Sequence, residues 1–348
     1  MRNFPAVVAA AMVMFAQTIV AQDLGGVHEP GIFDGPSYSP YAGRNFPNTP
    51  LWGDTHLHTT LSFDAGAFGY RLGPEEAYRF ARGEEITSTG GYEVRLSRPL
   101  DFLVVADHSD NMGLFTMIFE SDPSILADSE GRRIHDMIQA GGQTAVAASV
   151  ELIDTFSRGE EISDALSVEP GSRSFTSTWE RIVSAAEDYN DPGNFTAFIG
   201  YEWTSLVNTG DNLHRVVIYR DGADMALRHE PYTTMPPFGS PDPMDLWEWM
   251  EGVESASGGD VLALAHNGNM SNGIMFPVDR QYTGRRIDDD YVNARAKWEP
   301  LYEVTQIKGD GETHPYLSAD DEFADYETWA KGNLNLSVLK DDDMLQFE

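Results

Sequence analysis

From Leu51 onward the sequence predicts an α/β domain built on a mostly parallel sheet, and three observations point to it. Short apolar runs alternate with longer amphipathic stretches, the pattern of βα units. Two of those runs, Asp101–Ala106 and Val261–Ala265, read as strands buried on both faces. The chain has 348 residues, 41% hydrophobic and 23% charged, which is enough to bury a core in one large domain or two small ones.

The elements follow in order. Residues 1–21 read as a signal peptide: Arg2 gives a positive start, Phe4 to Ala16 is almost wholly apolar, and Ile19-Val20-Ala21 suits cleavage. That apolar run is too short for stable membrane insertion, so the expected location is exported, periplasmic or extracellular. Residues 22–50, rich in Gly, Pro, Tyr and Asn, have no helical or strand period and read as an N-terminal extension. The domain proper spans 51–348. Six strands are predicted in it: Leu51–Thr55, Asp101–Ala106, Thr196–Trp203, His214–Tyr219, Val261–His266 and Leu301–Ile307. Gly73-Pro74-Glu75-Glu76 starts a helix, with proline in the first turn and acids at the positive helix end. Asp245–Val253 predicts another, burying Leu246, Trp249 and Met250. The polar span 112–190 reads as a helical insertion or cap over a barrel mouth, closed by the turn residues Asp188–Asn194.

Composition narrows the function. Lys and Arg total 23 against 56 Asp and Glu, a net charge of -33, so the surface repels nucleic acid and anionic lipid and reads as a solubility surface. With no cysteine there is neither a disulfide nor a thiolate zinc site. No Gly-x-Ser-x-Gly elbow, phosphate loop or dinucleotide glycine motif occurs.

The chemistry lies in histidines and carboxylates. His56 and His58 stand two apart at a strand end, so both imidazoles share a face and reach one ion. Alone, the pattern is so short that two hydrogen-bonded histidines explain it better. The later strands change that balance. Asp107-His108 follows the second strand, Glu202 lies near the end of the third, His214 opens the fourth and His266 ends the fifth. In parallel α/β barrels, ligands from different strands gather at the carboxyl ends. His214 sits at a strand start, which requires an antiparallel strand or a different strand edge. Nitrogen and carboxylate ligands without sulfur suit Zn, Mn or Fe. A carboxylate such as Glu202 can bridge two ions, and such a pair generates hydroxide and clamps the oxygens of a displacement, a mechanism for phosphoester hydrolysis.

Six segments carry a family resemblance. They are Gly53–His58, Asp101–Asp110, Gly200–Thr204, Asn212–Tyr219, Ala265–Asn269 and Glu303–Pro315. In this order they resemble the PHP (polymerase and histidinol phosphatase) superfamily of metal-dependent phosphoesterases. The likeness is closer to its secreted branch, known only as a domain of unknown function, and runs from about Leu51 to the C-terminus. The resemblance implies a distorted (β/α)7 barrel holding two or three divalent ions. His56 and His58 would bind one ion, Glu202 would bridge it to a second completed by His214 and His266, and Asp64 with His108 would hold a third. Asp64 replaces the family's usual histidine, which shifts preference towards a harder ion. Asp54 and Asp107 would orient the imidazoles from behind. The family also places an Asp-x-His pair after a seventh strand. Only six strands are predicted here, so the barrel reads as incomplete and the chain as C-terminally truncated. Glu312-Thr313-His314 has the spacing, and is read as metal ligands, as a substrate contact or general acid at His314, or as surface loop.

The expected function is that of an exported metal-dependent hydrolase of phosphoesters or related small anionic esters. Glu202 would bridge the ions and His314 or Asp107 would handle protons, while Lys308 and Arg215 read equally well as anion contacts or as surface charge. An amidohydrolase-like enzyme cleaving C–N or C–O bonds and a metal-binding but inactive protein are the alternatives.

Overall fold

A computed structural model describes residues 49–160, 162–311, 315, 318–326 and 331–335. Six strands lie side by side in chain order: β1 (Gly53–Leu57), β2 (Phe102–Val105), β3 (Thr196–Trp203), β4 (Arg215–Tyr219), β5 (Val261–His266) and β6 (Leu301–Glu303). β1, β2 and β3 are parallel, β4 is antiparallel to both its neighbours, and β5 and β6 are again parallel. The mostly parallel sheet is therefore present, and β4 takes the antiparallel option that His214 demanded. The sixth strand stops four residues short of its predicted end. At Val304 the chain leaves the sheet for a small hairpin that pairs Thr305–Gln306 with Gly309–Asp310.

The sheet is curled into a half-barrel. His56 Nδ1, on β1, lies 2.8 Å from Glu303 Oε2, on β6, although these are the two outermost strands. In a flat sheet, six strands at about 4.8 Å spacing would separate them by roughly 24 Å. Twist and coil close that distance at the carboxyl end of the strands.

Alternation along the strands sorts side chains between two faces. Leu103, Val105, Ile199, Tyr201, Val217 and Ala263 belong to the large core beneath the helices. Val104, Ala106, Val216, Ile218 and Leu264 form a separate small cluster, with Phe198 and Leu262 packed on it. This second set is the inner, concave face. Gly200 is in phase with it, and a Cβ there would stand 2.6 Å from Val104 Cγ1 and 2.8 Å from the Val217 carbonyl. Gly200→Ala is therefore expected to lose about 1–3 kcal/mol of stability through overpacking. Urea unfolding measures it, and an unchanged midpoint would mean that the lumen has room.

The helices, in order, are α1 (Phe63–Ala67), α2 (Pro74–Ala81), α3 (Leu114–Phe119), α4 (Pro123–Ala127) and α5 (Ser129–Ala140). They continue with α6 (Gly142–Ser157), α7 (Arg173–Tyr189), α8 (Ala223–Ala226), α9 (Pro243–Ser257) and α10 (Asp289–Trp298). α2 begins where Gly73-Pro74-Glu75-Glu76 predicts, and Gly73 N–H donates to Glu76 Oε2 at 3.0 Å. α9 starts with Asp242 accepting from Met244 N–H and ends at Gly258, whose φ of 75° is the left-handed stop that favours glycine. Its buried stripe is Leu246, Trp247, Met250 and Val253. Trp249, expected inside, is half-buried and stacks on Tyr232 at 5.7 Å between ring centroids, because it sits at the edge of that stripe.

The long span between β2 and β3 is helical, as predicted, but its parts differ in role. α7 packs on α2 and β3, and its Phe175, Trp179, Ile182 and Val183 enter the main core. It is thus a helix packed on the outer face of the curled sheet. α5 and α6 pair with each other, and α6 is pinned to α1 by Ser149 Oγ donating to the Ala67 carbonyl at 2.7 Å. Among the described residues, no helix is long and apolar enough to cross a membrane. The expected signal peptide and most of the expected N-terminal extension lie outside the described residues.

Candidate metal centre

The inner face carries the site because strand period two keeps it in phase. Phe198, Gly200 and Glu202 alternate up β3 towards its carboxyl end, as Leu262, Leu264 and His266 do on β5. On β2 the same phase runs Val104, Ala106, His108, and His108 forms an isolated parallel bridge with Glu202. β4 runs the other way, so its start lies at this same end: Arg215 pairs with both Trp203 and Ala265, and His214 comes just before it. The small apolar cluster is therefore a floor with the polar residues directly above it.

Glu202 is fully buried at the centre of five imidazoles. Its Oε2 lies 2.7 Å from His56 Nε2, 2.9 Å from His58 Nε2 and 3.3 Å from His266 Nε2. Its Oε1 faces a different set, 2.6 Å from His214 Nδ1 and 3.4 Å from His108 Nε2. Two further carboxylates close the ring from outside. Asp64 Oδ1 lies 2.8 Å from His58 Nδ1, its Oδ2 lies 3.6 Å from His108 Nε2, and Glu303 Oε2 lies 2.8 Å from His56 Nδ1.

These groups can hold metal ions. If the Nδ1 of His56 and His58 carry their protons towards Glu303 and Asp64, both Nε2 atoms are bare lone pairs. They are 3.0 Å apart and aimed at the same carboxylate oxygen, an arrangement that asks for a cation between them. Buried His108 Nε2, Glu202 Oε1, His266 Nε2 and both nitrogens of His214 have no aligned hydrogen bond. Even the 2.6 Å contact of His214 with Glu202 is mis-angled for one. Among the described residues, four overlapping triads have ligand atoms within 4.8 Å of one another: His56/His58/Glu202, His56/His266/Glu303, His58/Asp64/His108 and His108/Glu202/His214.

The electrostatics favour the ligand forms. Burial pushes His108 down to about 4, depresses His214 and holds His266 well below the ordinary range, the direction that favours bare ring nitrogens. Burial also pushes Glu202 up, but the imidazoles of His108, His266 and His214 outweigh it and keep the carboxylate ionised. His56 and His58 are the exceptions. Burial lowers them, yet Glu202 and Glu303 around one and Asp64 and Glu202 around the other raise both above 6.5. A metal entering there displaces protons.

All seven metal ligands expected from the sequence thus converge here: His56, His58, Asp64, His108, Glu202, His214 and His266. Their grouping differs in one respect, since His266 shares a triad with His56 and Glu303 whereas His214 joins His108. Glu303 is the residue that sequence reasoning missed. It ends its strand as Glu202 and His266 nearly or wholly end theirs, but a strand drawn to Ile307 concealed that position.

Three expected roles change. Asp107 is fully buried with both oxygens taken by Thr59, Oδ1 by its N–H at 2.5 Å and Oδ2 by its hydroxyl at 2.6 Å. It anchors the loop after β1 and makes no hydrogen bond to an imidazole among the described residues, and burial raises its carboxyl to about 6. Asp54 accepts from the His56 backbone N–H and does not touch the ring. Arg215 is no anion contact, being out of phase with the inner face, 1% exposed and paired with Glu299 at 2.9 Å. Glu312 and His314 lie outside the described residues. Lys308 does reach the site, on a cavity of about 570 Å³ lined also by His56, His58, Asp64 and Glu303. It is the only lysine or arginine among the described residues of that wall.

No match to the chain is found among curated proteins. Residues 45–348 match a family model described as "Protein of unknown function (DUF3604)", and the match takes in every strand and every residue of the metal centre. The chain therefore belongs to the DUF3604 family.

Proposed function

We propose that the protein is an exported, metal-dependent hydrolase of phosphoesters or closely related anionic esters, with a fold of the distorted PHP barrel type. The observation that carries the proposal is the split use of Glu202. Its two oxygens face separate sets of nitrogens, the arrangement of a carboxylate shared between two ions. The ordered motifs that resemble the PHP superfamily support the choice of phosphoesters, and the leader-like residues 1–21 support export.

Divalent ions bound here, Zn, Mn or Fe by the donor set, would supply Lewis acidity and lower the pKa of a water molecule. The remaining work falls to the chain itself. Glu202, ionised and fixed between β2 and β4, holds the spacing of the site. Glu303 and Asp64 hold the rings of His56 and His58 from behind. Lys308 lines the cavity, close enough for its charge to act on Asp64 and His214, and would meet an anion there. The apolar floor under Glu202 keeps bulk water out from below.

The test pairs metal analysis by emission spectroscopy with a panel of phosphomonoesters, phosphodiesters, amides and lactones. Two or more ions per chain with turnover of phosphoesters is the expected result, with metal occupancy higher at pH 8 than at pH 6 as His56 and His58 give up their protons. Less than one ion and no turnover after metal addition would reject it. Turnover of amides or lactones alone would select C–N or C–O hydrolysis instead.

A further inference from the structure

Ser62 is fully buried and stands at the N-cap of α1. Serine is favoured there because its oxygen accepts a hydrogen bond from a first-turn N–H. Ser62 makes no such bond. Its hydroxyl instead donates to Asp64 Oδ1 at 2.7 Å and accepts from the His108 N–H at 3.2 Å. The side chain is thereby drawn away from the helix it should cap, towards two residues of the metal centre.

The bond to Asp64 decides which of its oxygens faces the site. Oδ1 also accepts from the Ala65 N–H at 2.6 Å and lies 2.8 Å from His58 Nδ1. With these three neighbours Oδ1 has no lone pair to spare. Oδ2 is left, and it lies 3.6 Å from His108 Nε2, a buried nitrogen without a hydrogen bond. Two ligand atoms each about 2.1 Å from one ion stand roughly 3.0–3.5 Å apart, so this pair needs little movement to share one. The second bond of Ser62 serves the other half of the pair, because it fixes the backbone that carries the His108 ring. His58 Nδ1 lies 3.3 Å from the same hydroxyl, but its shorter contact is with Asp64. Among the described residues, Ser62 makes no hydrogen bond to His56, His214 or His266.

We propose that Ser62 is a positioning residue whose hydroxyl aims Asp64 Oδ2 and His108 Nε2 at one divalent ion and sets the affinity of that position. It is not itself a ligand. The inference rests on the metal centre described above and concerns one position within it, since the ion between His56 and His58 is held without Ser62.

Equilibrium dialysis of the chelator-stripped full chain against zinc, read by emission spectroscopy, tests it. Wild-type protein is expected to take up more than one ion per chain. Ser62→Ala is expected to weaken one of them about ten- to a hundredfold and to leave the rest within about threefold. Ser149→Ala is the control, since Ser149 Oγ ties the other end of α1 to α6 at the Ala67 carbonyl without touching a ligand. It is expected to leave every ion within about threefold of its wild-type affinity. Unchanged affinities in folded Ser62→Ala, or a weakening of all ions alike, overturns the proposal. So does an equal loss in Ser149→Ala, which would trace the effect to the docking of α1. If circular dichroism shows that Ser62→Ala does not fold, Ser62→Gly, which a helix N-cap tolerates, decides alone by the same criteria. Less than one ion in the wild-type chain rejects the metal centre and this inference together, whereas normal uptake with an unaffected Ser62→Ala removes the inference alone.

Discussion

Replacing Glu202 by glutamine is expected to remove at least one bound divalent ion per chain and to lower hydrolysis by more than about a hundredfold. The substitution keeps the shape of the side chain, so packing at this fully buried position is undisturbed. It removes the charge, however, and replaces one oxygen by an amide nitrogen that donates rather than accepts. Whichever way the amide turns, one of the two nitrogen sets loses its shared oxygen. Either His56, His58 and His266 face an N–H, or His108 and His214 do. Metal content by emission spectroscopy and kcat on the best phosphoester measure both effects. Unchanged metal content would mean that Glu202 is a structural acid among histidines, and the bridging role would be withdrawn.

Arg215→Met is expected to cost about 3–5 kcal/mol of stability. Arg215 and Glu299 have side chains only 1% and 2% exposed, and their Nε–Oε1 contact is 2.9 Å. The guanidinium also donates to the Leu213 carbonyl, and its carbon lies 5.8 Å above the Trp203 ring centroid. Methionine fills the volume but leaves Glu299 as a buried charge. Among the described residues, only Arg295 Nη2, at 3.0 Å, and the Trp247 indole N–H, also at 3.0 Å, then remain to it. The double variant Arg215→Met, Glu299→Leu is expected to recover most of the loss, because a buried ion pair gains little over well-packed apolar groups. Urea unfolding of the three proteins checks this. A loss below about 1 kcal/mol in the single variant would show that Arg295 suffices for Glu299.

Much of this architecture was legible in the sequence, for a local reason. Apolar runs of strand length mark the six strands, and the fixed alternation of a strand then states which residues share a face. Once Val104 and Leu264 are inside, His108 and His266 must be too, and no tertiary information is needed. Boundaries were less legible. The extension of β6 past Glu303 and the choice of Trp249 over Trp247 in α9 both came from patterns that local periodicity does not settle.

By itself, then, the sequence determined which strands carry the five histidines and Glu202 of the candidate metal centre and the face they share, beginning with His56 and His58, while Asp64, on α1, came only through the family resemblance. Only the tertiary structure decided which atoms meet. Glu303 reaches His56 across 247 residues of chain because the sheet curls, and curl is a sum of small twists over six strands that no single segment records. The same holds for Asp107, whose oxygens went to Thr59 rather than to an imidazole, and for Arg215, drawn out of phase with the inner face into an ion pair with Glu299. Side-chain phase follows from local geometry, whereas partner choice depends on how distant strands are brought together.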